Sequence, residues 1–375
     1  MKKYKVLHII TSLAKGGAET SLFQLIQNSS NYEFENAVVS LTTYDYFAEK
    51  IKDAGASNVV LLNFKKHPLS SFNRLKKMAK DYDLICCWMY HANFIGYLIS
   101  RRIKKRIVWN IRHSNLDKKY NKRLTLWINQ YCAKHSKNVD LILYNGTKSK
   151  YVHEEFGYCK DNSGVMENGL SFDEYSGNNP TDLRKQYNIK PHVPIIASVA
   201  RYHPIKDHAC FLKVLGLLKK RNISFFAIMC GDGITEDNKD LLSGCLNNNL
   251  IPNNDLVFLG RRDDVNGLLS ESDFYILHSA SEAFPNALIQ AMACKCVCVA
   301  TNVGDSKIIL GSDSFIVDVG DFEHISSIIE STLSLGPNKI KIIEESNRKR
   351  VLENYDIKKV VGKYFGYLKN VLERR

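Results

Sequence analysis

Glu282 stands just ahead of Phe284-Pro285-Asn286, and Gln290 follows it by eight positions, in the stretch SEAFPNALIQAMAC. Pro285 suits a first helical turn. That places Phe284 and Asn286 at a helix N-terminus, whose free N–H groups attract anions. A carboxylate beside such a site must be aimed at hydroxyls, because facing the anion would be repulsive, and sugar hydroxyls fit. Gln290 falls on the same helix face as Asn286, one turn further on, and its amide can serve a diol such as that of a ribose. A second pair lies in ASVARYHPIKDH, where Arg201 and Lys206 sit five residues apart just past an apolar run. Two fixed cations there suit a diphosphate, Arg gripping two oxygens in a planar fork and Lys adding a point charge. Taken singly, each has a plainer explanation: Glu282 as a helix cap, Arg201 and Lys206 as ordinary basic residues after a strand.

Two sets of strands must position these groups. VLHII (6–10), NAVVSL, NVVLL, LICCW, RIVWNI and LILYN alternate with helical patterns, and the rhythm restarts with PIIASVA, SFFAIMC, LVFLG, FYILHS, CVCVAT and SFIVDV. This βαβα order predicts an α/β protein of two Rossmann-like, doubly wound parallel sheets. The two halves should face each other across a cleft and take ligands at the carboxyl ends of their strands. ENGLSFDEYSGNNPTD (167–182), rich in Gly, Asn, Pro and Asp, reads as the boundary. The expected domains are 1–170 and 171–355, with a C-terminal helix, 356–375, packing back on the first.

Length agrees with two domains, since 375 residues exceed what one core usually supports. Hydrophobic content of 45% and charged content of 24% are those of a soluble globular chain. The most apolar patch, LICCWMYHANFIGYLIS, is interrupted by His91 and Asn93, which argues against a membrane span. MKKYKVLHIITSL reads as a first strand rather than a signal peptide, so a reducing cytoplasm is expected. The ten cysteines include no C-x-x-C pair. Cys294, Cys296 and Cys298 alternate as if on one strand face, and with no His or Cys nearby at ligand spacing they read as buried thiols, so no metal site is expected. The net charge of +13 is uneven: residues 1–180 hold 27 Lys and Arg against 16 Asp and Glu, residues 181–375 hold 25 against 23. The surplus clusters at 65–66, 73–80, 101–106 and 118–123. Such stripes suit solvated helix faces, or an anionic partner such as the inner leaflet of a membrane or a nucleic acid. No helix-turn-helix signature and no aromatic–basic interleaving support nucleic acid.

Set together and in order, KGGAET, VARYHPIK, GDG at 231–233, LGRRDDVNGLL, SEAFPNALIQAMAC and ATNVGDS resemble the family 4 retaining glycosyltransferases of the GT-B fold. The resemblance covers nearly the whole chain and is more specific in its C-terminal half. It implies a nucleotide-diphosphate sugar as donor, UDP before GDP, retention at the anomeric carbon, no cofactor and no required metal. Glu282 matches the first acid of the family's E-x7-E motif, which contacts the donor sugar's hydroxyls. Phe284 and Asn286 would hold sugar and phosphate through their backbone. Arg201 and Lys206 match the cations that take up charge on the leaving diphosphate. Gly16 and Gly17 match the first glycine loop, Gly260 and Arg261 border the base, and His113 in WNIRHSN matches a histidine beside the reacting sugar. A lipid-linked glycan acceptor at the cytoplasmic membrane face, in O-antigen, capsule or exopolysaccharide synthesis, follows from the same resemblance.

Three departures stand out. Gln290 replaces the second acid of E-x7-E, losing charge-assisted strength toward a ribose hydroxyl. Ala283 replaces the usual glycine and should avoid positive φ. VGDSKII replaces the common VGG-x-x-E, which leaves Asp305 and Ser306 without a role from resemblance. An epimerase or hydrolase on the same fold is the competing enzyme class. A nicotinamide-dependent oxidoreductase is disfavoured, because KGGAET is not G-x-G-x-x-G.

Overall fold

The strand segments are apolar at nearly every position because helices cover both faces of each sheet. The computed structural model describes residues 3–114, 116–117, 121–175 and 181–374. Two units divide the chain, Met1–Gly169 with Ile357–Arg375 and Leu170–Asp356. Residues 118–120 of the last basic cluster and 176–180 of the expected boundary lie outside the described residues.

In the first unit β1 (Tyr4–Ile10), β2 (Phe34–Ser40), β3 (Asn58–Leu61), β4 (Leu84–Trp88), β5 (Arg106–Ile111), β6 (Leu141–Tyr144) and β7 (Ser163–Val165) form one sheet. Its order is β3-β2-β1-β4-β5-β6-β7, parallel throughout. β7, only three residues of SGV, is not among the strands expected from sequence. The connecting helices are α1 (Gly17–Gln27), α2 (Ala48–Asp53), α3 (Pro68–Ala79), α4 (Tyr90–Ile103), α5 (Arg123–His135) and α6 (Thr147–Phe156). Alternate residues of one strand feed two cores. Leu84, Cys86 and Trp88 of β4 join α1 and α2, whereas Ile85 and Cys87 join α3, α4 and α5.

In the second unit β8 (Ile195–Val199), β9 (Phe226–Cys230), β10 (Leu256–Phe258), β11 (Phe274–Leu277), β12 (Val297–Thr301) and β13 (Ile316–Val317) pair in the order β10-β9-β8-β11-β12-β13, again parallel. Around them lie α7 (Leu183–Gln186), α8 (His208–Lys220), α9 (Lys239–Asn247), α10 (Val265–Ser270), α11 (Asn286–Ala293), α12 (Ser306–Leu310), α13 (Phe322–Leu333) and α14 (Pro337–Tyr355). Helix α15 (Ile357–Glu373) belongs to the first unit, where Ile357, Val360, Val361, Tyr364 and Leu368, spaced three and four apart, enter the core beside β4. No helix among the described residues is long and apolar enough to cross a membrane.

The cysteine run does not form one strand face. β12 starts only at Val297, because α11 continues to Ala293 and Cys294 closes it. Cys296 and Cys298 lie in one core and Cys294 packs against it. Among the described residues no group of His, Cys, Asp and Glu could hold a metal ion.

Candidate active site

In each sheet the strand order reverses once, between β1 and β4 in the first unit and between β8 and β11 in the second. Loops leaving neighbouring strands diverge there and open a ligand crevice at the carboxyl edge. The loop after β8 carries Arg201 and Lys206; the loop after β11 carries Glu282. They meet. Lys206 Nζ lies 2.5 Å from Glu282 Oε1, with the two side chains only 19% and 14% exposed. Ser279 Oγ donates to the same carboxylate oxygen at 2.7 Å. The backbones are tied as well, Ala280 N–H donating to Ile205 C=O at 2.8 Å.

Two buried histidines hold this cationic turn from beneath. His278, the residue that ends the apolar run FYILH, donates from Nδ1 to Lys206 C=O at 2.5 Å. Its Nε2 accepts from Ser198 Oγ at 2.7 Å. The tautomer follows from the partners, since a carbonyl can only accept. Burial, helped by neighbouring His208, pushes the His278 pKa down to about 3, so the ring is neutral at physiological pH. His208 donates from Nε2 to Arg201 C=O at 3.1 Å, packs edge-on to His278 and stacks on Tyr202. Both ends of the 201–206 turn are thereby anchored through backbone carbonyls, leaving the side chains of Arg201, which is exposed, and Lys206 for other partners.

Two glycines let the loops approach each other. A Cβ on Gly231, in GDG, would lie 2.1 Å from Ala200 O. Gly304 has φ of +55°, and a Cβ there would lie 2.6 Å from Ala283 O and 2.8 Å from Glu282 O. At this contact the positive φ falls at Gly304, across from Ala283, which is not among the left-handed residues. Ser306 Oγ donates to Thr301 C=O and accepts from Val303 N–H, closing the same turn, and Asp305 is buried at the start of α12.

The remaining expected residues divide between the units. Pro285 is the N-cap of α11, with Asn286 its first residue and Phe284 buried edge-on against Tyr355, so Phe284 can offer a ligand only its backbone. Gln290 lies beside the buried Tyr175 hydroxyl, whose pKa burial raises. Gly260, with φ of +62°, follows β10, and its carbonyl accepts from Gly231 N–H at 2.8 Å, while Arg261 is exposed beside it. Gly16, Gly17 and His113 lie in the first unit. Gly16 is the extended N-cap of α1 and Gly17 its first residue; a Cβ on Gly16 would meet the Glu19 carboxylate at 2.5 Å. Burial raises the Glu19 pKa. His113 is half-buried, and its carbonyl accepts from Ser149 Oγ; Ser149 C=O accepts from His153 Nδ1, and His153 Nε2 meets Tyr90 Oη, each at 2.7 Å. Sequence reasoning missed Ser198, His208, His278, Ser279 and Gly304. The one visible signal was polar His278 at the end of an apolar strand.

Two doubly wound parallel α/β units, the second with a cation–carboxylate pair at its switch point, are of the GT-B fold class. Residues 15–174 match the sequence family Glycosyltransferase Family 4 and residues 179–350 match Glycosyl transferases group 1. The chain belongs to the family 4, group 1 glycosyltransferases and is a glycosyltransferase. It is 22% identical to the Escherichia coli UDP-Gal:alpha-D-GlcNAc-diphosphoundecaprenol alpha-1,3-galactosyltransferase, over 96% of this chain and 95% of that protein. Among solved structures it resembles Anabaena Alr3699/HepE in complex with UDP and glucose, with a TM-score of 0.84 at 20% identity, covering 98% of this chain and 100% of that one. A glycosyltransferase from Rickettsia africae ESF-5 superimposes with a TM-score of 0.84 at 19% identity, covering 100% of both chains.

Proposed function

We propose that the chain transfers a hexose or N-acetylhexosamine from a nucleotide-diphosphate sugar, UDP in the first instance, to a lipid-diphosphate-linked glycan, with retention at the anomeric carbon. The observation that carries this reading is the contact of Lys206 with Glu282 at the carboxyl edge of the second sheet. A diphosphate arriving at the 201–206 turn competes for the Lys206 ammonium, and the carboxylate it releases is placed for sugar hydroxyls. As the bond between the anomeric carbon and the diphosphate oxygen breaks, Arg201, Lys206 and the N-terminus of α11 stabilise the growing negative charge, the service a metal ion would otherwise give.

Double displacement needs two carboxylates about 5 Å apart. Glu282 is the single strong candidate among the expected site residues, so a front-face route fits better. The acceptor oxygen bonds to the anomeric carbon on the side the diphosphate leaves, and a donor phosphate oxygen takes the acceptor's proton. The named substrates of the Escherichia coli relative, UDP-Gal and a diphosphoundecaprenol-linked sugar, support the same donor and acceptor classes here. We place the protein in the cytoplasm, peripheral to the inner membrane face, in the synthesis of a surface polysaccharide such as O-antigen, capsule or exopolysaccharide. The test is product analysis with a panel of nucleotide sugars, with and without lipid-linked acceptor and with a chelator present. Lys206→Ala should lower turnover about 10²–10³-fold, and a near-normal rate would mean that the diphosphate sits elsewhere. Sugar released to water, or epimerised, without acceptor overturns the transferase reading.

A further inference from the structure

Three large apolar side chains of the first unit are exposed at one end of one helical layer. Helices α3, α4 and α5 lie side by side over the same face of the seven-stranded sheet, joined in one core by Leu75, Tyr90, Ile99, Ile128 and Cys132. Each follows a strand of the parallel sheet, so all three begin at its carboxyl edge, the edge where α/β sheets take ligands. There Leu69, the second residue of α3, is 81% exposed, and Leu124 and Trp127, in the first turns of α5, are 62% and 53% exposed. One exposed leucine needs no explanation. Three such side chains on helices about 20 Å apart, at the same end of the layer, do. Trp127 is also held in place, its ring set edge-on to Phe94 at 5.8 Å and 6.0 Å from Tyr131.

The charges beside them are equally placed. The exposed Lys65 and Lys66 precede α3, and the exposed Lys122 and Arg123 open α5. Neither helix has an acidic residue in its first turn. Cations at a helix N-terminus oppose the helix dipole, whereas the clusters at 76–80 and 101–106 fall at the C-terminal ends of α3 and α4, where the dipole favours them. Helix stability thus accounts for the second group and leaves the first unexplained. An external anionic surface accounts for it.

We propose that this rim seats the first unit on an anionic bilayer, with Leu69, Leu124 and Trp127 entering the headgroup boundary and Lys65, Lys66, Lys122 and Arg123 meeting headgroup phosphates. Tryptophan suits that depth, with its apolar body and polar N–H, and each cation adds to attraction by anionic lipid. The inference rests on the lipid-carried acceptor proposed above and adds which face meets the membrane: the edge of the sheet that takes ligands.

The sequence has three tryptophans, and Trp88 and Trp109 are fully buried, so fluorescence reports chiefly on Trp127. Full-length protein is titrated with phosphatidylglycerol–phosphatidylethanolamine vesicles and, separately, with phosphatidylcholine vesicles. We expect a blue shift and flotation with the anionic vesicles, quenching by brominated acyl chains, and release by salt. The triple substitution Leu69→Ser, Leu124→Ser, Trp127→Ser should lower partitioning about tenfold or more. Lys65→Glu with Arg123→Glu should lower it similarly, with transfer to a short-chain soluble acceptor unchanged for both variants. Unquenched wild-type fluorescence on bound vesicles, or flotation of the variants equal to wild type, overturns the proposal without needing any variant to fold differently. A blue shift that follows protein concentration in the absence of lipid also overturns it, in favour of a second copy of the chain on this face. Wild-type protein that fails to float yet transfers to the soluble acceptor sinks the rim alone; wild-type protein that floats but transfers to no acceptor supports the rim and sinks the transferase reading.

Discussion

Acidification should loosen the second unit through His278. An ordinary imidazole titrates at 6.5, and burial holds this one at about 3. The groups facing it are His208 and the Lys206 ammonium, both of which disfavour a second positive charge, and the carbonyls of Lys206 and Asp207, which favour one but do not outweigh burial. Because the folded pKa is depressed, the unfolded chain binds the proton first. The stabilising contribution is complete above 6.5 and is lost as pH falls toward 3. Between pH 7 and pH 5 the loss from this one ring comes to about 2 kcal/mol. His8 and His153 in the first unit, both held at about 4 by burial, should cost that unit about 4 kcal/mol together over the same interval. A single melting temperature is ill-defined for a two-unit chain, so the assay is amide hydrogen exchange resolved by strand, comparing β8 and β11 with β1 and β6. His278→Gln is neutral at every pH and should flatten the acid dependence of β8 and β11 while leaving that of β1 and β6. Equal slopes in wild type and variant, or no acid dependence at all between pH 7 and pH 5, would refute the reasoning.

Three further perturbations probe the site. Glu282→Ala should lower turnover about 10²–10³-fold while calorimetry still detects the nucleotide sugar; if only binding of free nucleotide is lost, the assigned role is wrong. Gly304→Ala forces a Cβ against the Glu282 and Ala283 carbonyls at a positive φ, so it should destabilise the second unit by about 1–3 kcal/mol in denaturant and lower activity, with Gly231→Ala doing the same through the 200–201 backbone. Ser198→Ala removes the donor to the buried His278 Nε2, a loss of about 1–3 kcal/mol by the same denaturant assay.

The strands were legible because apolar runs five or six residues long, each followed by a helical pattern, admit few other readings; β7 escaped because SGV carries no such run. Arg201, Lys206 and Glu282 were legible as types at strand ends, and resemblance supplied the reaction proposed for them. Their mutual contact was not legible, because it depends on β8 and β11 being neighbours although 75 residues separate the start of one from the end of the other at Phe274 and Val199. His278 and His208 were overlooked for a related reason. A histidine at the end of an apolar strand and another at a helix start show their purpose only when both are seen to grip carbonyls of one turn. Gln290 pointed by spacing to a ligand diol; that it also lies beside Tyr175 was not legible, because that residue comes from a part of the chain with no periodic relation to it. The basic clusters looked equivalent as sequence and separate only when the helix ends are known.

Under the proposed function, the Lys206–Glu282 pair bears on how one site can hold a carboxylate for sugar hydroxyls beside a lysine for a diphosphate. Both side chains are less than one-fifth exposed, and a charge so placed costs several kcal/mol unless it is paired. Each supplies the other's counter-charge, so neither side chain has to be withdrawn from the site. A sugar diphosphate bound as proposed would bring both replacements in one molecule, phosphate oxygens for the lysine and hydroxyls for the carboxylate, which already accepts from Ser279 Oγ. Free UDP brings only the first. It should bind to a site whose carboxylate is left without its cation, and so it should lose affinity, relative to the sugar nucleotide, in wild type but not in Glu282→Gln, where no charge is stranded. Equal preference in the two proteins would show that the pair does not couple the two halves of the donor.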